Sequence, residues 1–359
     1  MKYVTINGWK MAILLVLLTA ACGRQQQQKG QPVMTDELRL RTTPVKDQGR
    51  SSLCWIYAML ATIETEHLMQ GDSVNLSPVF TARQFLSRQA EQYFLTKGKK
   101  PVSMRGMATM TLQLIGQYGA HPYDYYECLQ PVNWHVLVRQ TERVADGAIA
   151  QRVGLARFRK RLERLLDERL GFMPQYVHML GAEYTSEQFG HSVCLDDEYE
   201  ALTSFTHHPF GECFALEVAD NQLGDTFLNV PIDTLMATID RALRNGHPVC
   251  WEGDTSEPGF SFQKGFAECP TSQTSLQALR QRQFERFQTT DDHCMALVGI
   301  AHEKTGKRYY IAKNSWGTEN PFGGFMYLSE DYVKMKTVCI VLPRRFANES
   351  EKLKIKIEK

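Results

Sequence analysis

Several things are scarce in this sequence, and each scarcity excludes something. Cysteine is sparse, with nine in 359 residues. That is well below the density of a disulfide scaffold, so the fold need not rest on bridges and each cysteine is judged by its own surroundings. Charge of one sign is not in excess: 41 Lys and Arg against 40 Asp and Glu leave a net charge of +1. No nucleic acid is expected as the main partner, because phosphate binding asks for a basic excess or stripe. The apolar run Met11–Ala21 is about half of the ~20 residues that a membrane-spanning helix needs. No internal repeat is visible, and His207 and His208 with Cys213 lack a paired ligand set at zinc spacing. What is present is ordinary globular material, 43% hydrophobic and 23% charged, in a chain long enough for two domains or one large two-lobed domain.

The N-terminus reads as a targeting segment. Lys2 and Lys10 precede the apolar run, in the manner of a secretory signal peptide. Its end, Thr19-Ala20-Ala21-Cys22-Gly23, resembles the lipobox of bacterial lipoproteins. On that reading residues 1–21 are removed, and Cys22 becomes the lipidated first residue. Residues 22–40, with their Gln25–Gln28 run, then form a polar tether. The expected location is an exported, membrane-anchored lipoprotein facing the periplasm or the cell surface.

Beyond the tether the chain changes character once. Residues 54–68 carry Ile56, Met59, Leu60, Ile63 and His67 at helical spacing, with Ser51 and Ser52 placed where N-caps belong. Helical patterns recur at 78–92 and 108–118. They return over 139–170, where Leu155, Phe158, Leu162 and Leu165 form a stripe among arginines that is read as a solvated helix face. From about residue 211 strands dominate: 213–218, 248–253, a hairpin of 295–302 with 307–313, and 325–328, with a helix over 232–245. The fold class expected is α+β, a helical lobe of about 50–210 and a β-rich lobe of about 211–345.

Chemistry-bearing residues gather in three places. Cys54 opens a predicted helix, where the dipole and unpaired N–H groups favour the thiolate. Gln48, six residues upstream, can fold back and donate its amide to an oxyanion together with the Cys54 N–H. His293 and Asn314 flank the hairpin at similar distances from its turn, so antiparallel pairing brings them within about two residues of register. An Asn carbonyl accepting from one ring nitrogen fixes the tautomer and leaves the other nitrogen to act as a base towards the thiol. Asp291 and Asp292, just before His293, read as a solvated loop.

Gln48-x5-Cys54-Trp55, then His293 ahead of an apolar strand, then Asn314-Ser315-Trp316-Gly317 resemble the papain-like cysteine peptidases. The wide Cys54–His293 separation, Asn229-Val230-Pro231-Ile232-Asp233 and Gly246-His247-Pro248 point to their bleomycin hydrolase and aminopeptidase C branch. The resemblance covers about 41–345 and implies a papain-like two-lobed fold with the active site between a helical lobe and a β-barrel-like lobe. It also implies Cys54 as nucleophile, His293 as base and acid, Asn314 as the residue orienting the imidazole, and Gln48 as oxyanion donor, with Trp316 shielding the His–Asn contact. Peptide hydrolysis through a thioester then follows, without metal or organic cofactor, on a peptide or protein substrate.

Some positions depart from that pattern. Ser52 stands where the family has glycine, and Leu53 replaces a small or basic neighbour. The chain is shorter than typical bleomycin hydrolases, so their hexameric assembly does not carry over. The Lys-rich tail within 346–359 does not match the tail that enforces aminopeptidase action in that branch. Two other readings follow: a non-catalytic peptide- or partner-binding lipoprotein on a peptidase scaffold, and a transglutaminase-like amidase. The second sits poorly with Asn rather than Asp as the third residue.

Overall fold

The computed structural model describes residues 32–128, 131–179, 181–270 and 276–347. The signal segment, Cys22 and residues 348–359 of the tail therefore lie outside the described residues. The strands are β1 Met34–Arg39, β2 Tyr176–Met179, β3 Ala182–Thr185, β4 Tyr199–Thr203, β5 Cys213–Ala215, β6 Thr226–Asn229 and β7 Val249–Gly253, followed by β8 Phe260–Ser261, β9 Phe266–Ala267, β10 His293–Glu303, β11 Arg308–Lys313, β12 Phe325–Ser329 and β13 Thr337–Pro343. The helices are α1 Cys54–Gln70, α2 Pro78–Leu95, α3 Ala108–Tyr118, α4 Trp134–Ala150, α5 Leu155–Leu170, α6 Ser186–Val193, α7 Ile232–Arg244, α8 Leu276–Glu285 and α9 Glu330–Lys336.

Local chemistry explains many of these boundaries. Ser77 caps α2 by accepting from Phe80 N at 3.1 Å, with Pro78 in the first turn, where its missing N–H costs nothing. Gly71 ends α1 with φ 101°, a left-handed conformation that glycine takes without strain. Asn133 caps α4. The 139–170 region is two helices broken at Gly154, and α5 buries Phe158, Leu162, Leu166 and Leu170 on one face.

Ten strands follow the order β5-β6-β4-β13-β7-β10-β11-β12-β9-β8 in one mostly antiparallel sheet, and β1 pairs with β10 off that path. β10 is the organising strand. One edge pairs with β11, and the other pairs first with β7 and then with β1. One apolar cluster is built by the helices around Trp55, Phe80, Phe85 and Phe158. The other fills the sheet lobe around Trp251, Leu297, Tyr309 and Tyr310. Helix α1 serves both, since Trp55 and Ile56 enter the first cluster and Ala61 the second. It is buried on every face through its middle, as a helix between two packed layers must be.

Three sequence expectations change here. The tether was expected to run to residue 40, but Met34–Arg39 pairs with β10 from Met34↔Glu303 to Arg39↔Gly299. Its charged, non-alternating sequence hides a short strand whose partner is remote in the chain. The 213–218 strand stops at Ala215. Tyr199–Thr203, ahead of residue 211, already belongs to the sheet through pairing with β13.

Candidate active site

The segment before α1 is shaped by its own backbone. Gly49 takes φ +60°, and its N–H is held by Asp47 Oδ1 at 2.8 Å. Cys54 is the first residue of α1 and half-buried. The residue capping that helix is the buried Leu53, with no side-chain bond to the first turn. Ser51 and Ser52 are therefore not caps: Ser51 Oγ donates to Gln48 O at 2.7 Å instead. Ile56 N–H turns back to Leu53 O at 3.0 Å, and no side chain caps the helix end where Cys54 sits, an arrangement that favours negative charge on sulfur. Ser52 is not among the residues with positive φ, so replacing the family's glycine costs no backbone strain at that position.

The hairpin supplies the other half. β10 begins at His293 and β11 ends at Lys313, with Ala296 opposite Lys313. That register carries Asn314 to His293, and His293 Nε2 lies 2.7 Å from Asn314 Oδ1. Both are buried. The Asn carbonyl accepts the Nε2 proton, which leaves Nδ1 for the Cys54 thiol, to which His293 is hydrogen-bonded. Trp316 lies against the imidazole with ring centroids 4.5 Å apart, backed by Phe260 and Phe262. Gln48 is held at both ends of its amide. Its Oε1 accepts from Ser315 Oγ at 2.6 Å, and its Nε2 gives one hydrogen to Ser51 O at 2.7 Å. The second N–H is left over. The structure thus brings Gln48, Cys54, His293, Asn314 and Trp316 together, while Cys22 lies outside the described residues.

The sulfur of Cys54 has a neighbour that sequence reasoning missed. Its pKa is held well below the ordinary thiol value, first by a hydrogen bond from the Cys294 thiol. Burial opposes this, and the hydrogen bond and charge of His293 add to it. Cys294 itself is pushed well up by burial and by the adjacent Cys54, so it stays a protonated donor.

A second missed group is Glu64, in the middle of α1. It is buried and accepts from Lys46 Nζ, from Thr43 Oγ1 and, at 2.7 Å, from Leu76 N. Lys313 Nζ lies 3.9 Å away and also donates to Thr43 Oγ1 at 2.7 Å. One carboxylate therefore ties the strand leading into Gln48, the helix bearing Cys54 and the residue before Asn314. Burial pulls the Lys313 ammonium down to about 8.

Asp291 and Asp292 are not a solvated loop, because they pack against buried neighbours. Asp292 takes bonds from Thr255 N at 2.8 Å, Thr255 Oγ1 at 3.0 Å, Thr290 Oγ1 at 3.1 Å and Ser256 N at 3.2 Å. Asp291 sits beside Glu252 of β7. Both carboxyls are raised chiefly by burial, Glu252 to about 7. They line a pocket of about 330 Å³ that also holds Gln48, Cys54, Arg105 and His293.

Elsewhere, His207 and His208 both meet Glu217, through Nε2 at 3.1 and 2.7 Å. Gln281 Nε2 points at His207 Nδ1 from 3.0 Å, while its Oε1 is held by Thr206 N. With Nδ1 as acceptor, the His207 proton sits on Nε2 and donates to Glu217. This is the tautomer opposite to the one a metal at Nε2 requires. No helix among the described residues is long and apolar enough to cross a membrane.

Comparison with known proteins bears on the sequence and the fold. The model of the Peptidase C1-like family matches residues 181–358. Aminopeptidase G of Lactobacillus delbrueckii subsp. lactis is 26% identical over 166 residues, 43% of this chain but only 37% of that protein. Aminopeptidase W of the same organism is 22% identical over 374 residues, spanning 87% of this chain and 83% of its own. The crystal structure of PepW from Lactobacillus rhamnosis HN001 shares the fold with a TM-score of 0.68 at 18% identity, covering 99% of this chain and 96% of that one. The chain thus has a papain-like fold, and its residues 181–358 match the Peptidase C1-like family.

Proposed function

We propose that this chain is a cysteine-type peptidase that acts through Cys54, His293 and Asn314. The observation that carries the reading is the 2.7 Å contact of His293 Nε2 with Asn314 Oδ1 beneath Trp316. It leaves the other ring nitrogen to the thiol of a helix-terminal cysteine. In the proposed sequence the Cys54 thiolate attacks the scissile carbonyl carbon. The carbonyl electron pair moves to oxygen, where the Cys54 N–H and the spare Gln48 N–H receive it. The His293 imidazolium gives its proton to the departing amine, and a thioester remains. Water then loses a proton to His293, adds to the thioester and returns the thiolate.

Buried Asn314 and half-buried Trp316 serve this cycle by keeping the imidazolium oriented and out of competition with water. An aminopeptidase mode is the finer reading, supported by the names of the relatives. On its N-terminal motif alone, the enzyme is proposed to be anchored by lipid at Cys22; Cys22→Ser should then move the protein from the membrane to the soluble fraction.

The test is labelling with a thiol-directed epoxide and cleavage of peptide amides, with Cys54→Ala as control. Labelling confined to Cys54 and loss of turnover in the variant are expected. Peptide binding without turnover in the wild type would return the alternative, a binding protein on a peptidase scaffold.

A further inference from the structure

The pocket beside Cys54 is acidic in a way that the hydrolytic steps do not use. Its wall carries four carboxyls, Asp220, Glu252, Asp291 and Asp292, against one guanidinium, Arg105, and the His293 imidazole. These groups are not equivalent. Asp220 is neutralised by Arg105 Nε at 2.7 Å. Asp292 is satisfied by the hydroxyls and N–H groups of Thr255, Ser256 and Thr290. The His293 imidazole is committed to Asn314 and Cys54.

That leaves Glu252 and Asp291. Glu252 lies on β7 among fully buried neighbours and receives Ala108 N at 3.3 Å and the Cys339 thiol at 3.5 Å. Neither donor is charged. Asp291 shares a side-chain hydrogen bond with Glu252, and its Oδ2, which is buried, has no donor. Arg105 reaches the Asp291 backbone oxygen, at 3.1 Å, and its other bond goes to Asp220. The two carboxyls hold a proton between them in place of a cation, because burial disfavours charging both. They do so on the wall of the pocket beside Cys54, where a cation from outside can reach them.

Both carboxyls also feel the charge of the Cys54 sulfur, so the cation they receive lies close to the scissile bond. Cys294, in the same pocket, contributes only a thiol. Their partial protonation, forced by burial, keeps the empty pair tolerable. An arriving ammonium or guanidinium displaces that proton to solvent and leaves a compact ion pair in a desolvated wall, the setting in which such contacts discriminate most strongly.

We infer that the Glu252–Asp291 pair is a cation subsite that selects peptides carrying an ammonium or guanidinium group beside the scissile bond. This inference rests on the peptidase reading above. The cation has two sources with the same chemistry, the free α-amine of the first residue or a basic side chain at the next position in from the bond.

The experiment uses the full chain and two matched pairs of fluorogenic amides. One pair compares free Leu-amide with its N-acetyl form. The other compares a blocked dipeptide amide carrying Arg before Leu with its citrulline isostere. Wild type should prefer the cationic member of at least one pair by about tenfold or more in kcat/KM. The pair that shows the preference identifies the source. Glu252→Gln and Asp291→Asn should each shrink that ratio at least several-fold. Having two variants, each checked by its thermal melt, guards against one that fails to fold.

Binding of the same peptides to Cys54→Ala supplies a readout that needs no turnover. A wild type that cleaves both members equally, with equal binding to Cys54→Ala, overturns the subsite. So does a preference that survives in both variants. Cationic preference in binding without any turnover or Cys54 labelling would support the subsite and refute the peptidase reading.

Discussion

Glu64 offers the sharpest test of how the site is held. The perturbation is Glu64→Gln, which keeps the shape and one acceptor for Leu76 N but removes the charge facing Lys46 and Lys313. The Glu64 and Lys313 side chains are 1% and 3% exposed, so solvent screening offers little relief. Burial already pulls Lys313 from its ordinary 10.5 to about 8 with Glu64 in place, a cost of roughly 3 kcal/mol at 1.36 kcal/mol per tenfold change in proton affinity. Removing one partner of a buried pair costs about 3–5 kcal/mol. Retention of the Leu76 bond argues for the lower end, about 3 kcal/mol, a large share of a total stability of about 5–15 kcal/mol.

The loss should depend on pH in a defined direction. The folded pKa of Lys313 lies below its unfolded value, so between about 8 and 10.5 the unfolded chain binds more protons and stability rises with pH. In the variant this pKa falls further, because an attraction that raised it is gone. The deficit against wild type therefore shrinks as the pH rises towards about 8, where wild-type Lys313 also loses its proton, and levels off above it. Urea unfolding at two pH values, near 7 and near 9, reads both effects. A variant within about 0.5 kcal/mol of wild type at neutral pH would refute the argument that this carboxylate holds the three segments together.

Three further outcomes follow from the site. Asn314→Ala removes the acceptor for the His293 Nε2 proton, and kcat should fall about 10- to 100-fold with a smaller change in KM. Gln48→Ala takes away the spare N–H. It should lower kcat about 10²- to 10³-fold if that donor meets the oxyanion, whereas a loss confined to stability would place Gln48 in the loop scaffold only. Cys294→Ala deletes the thiol that hydrogen-bonds the Cys54 sulfur. The thiolate is then harder to form, so the acidic limb of the kcat/KM profile should move to higher pH; an unmoved limb would show that His293 alone sets it.

The legible parts of the molecule were those written in contiguous residues. Helix α1, helix α3 and the β10–β11 hairpin could be placed because their apolar spacing and turn residues are local. Cys54, Gln48, His293 and Asn314 were found because each sits in a short motif whose chemistry has a stated geometry. What escaped was set by distant partners. β1 reads as polar chain until β10 covers it, and β4 is only five residues long. Glu64 looks like a solvent-facing charge on a helix, and only Lys46 and Lys313, brought from elsewhere, make it a buried anchor. Asp291 was expected in water because lone carboxylates usually are; its partner Glu252 is on another strand. Ser51 and Ser52 have the composition of caps, but the close packing of Leu53 moved the helix start past them.

The position of β13 has a consequence in time. It is the most C-terminal strand among the described residues, yet it lies in the interior of the sheet between β4 and β7. A chain emerging from the ribosome makes helix α1 early. It cannot join the two halves of the sheet until residues 337–343 arrive. During that interval β4 and β6 are without their link to β7 and β10. Closure of the sheet is therefore a late event in synthesis, because it waits for an interior strand and not for an edge strand.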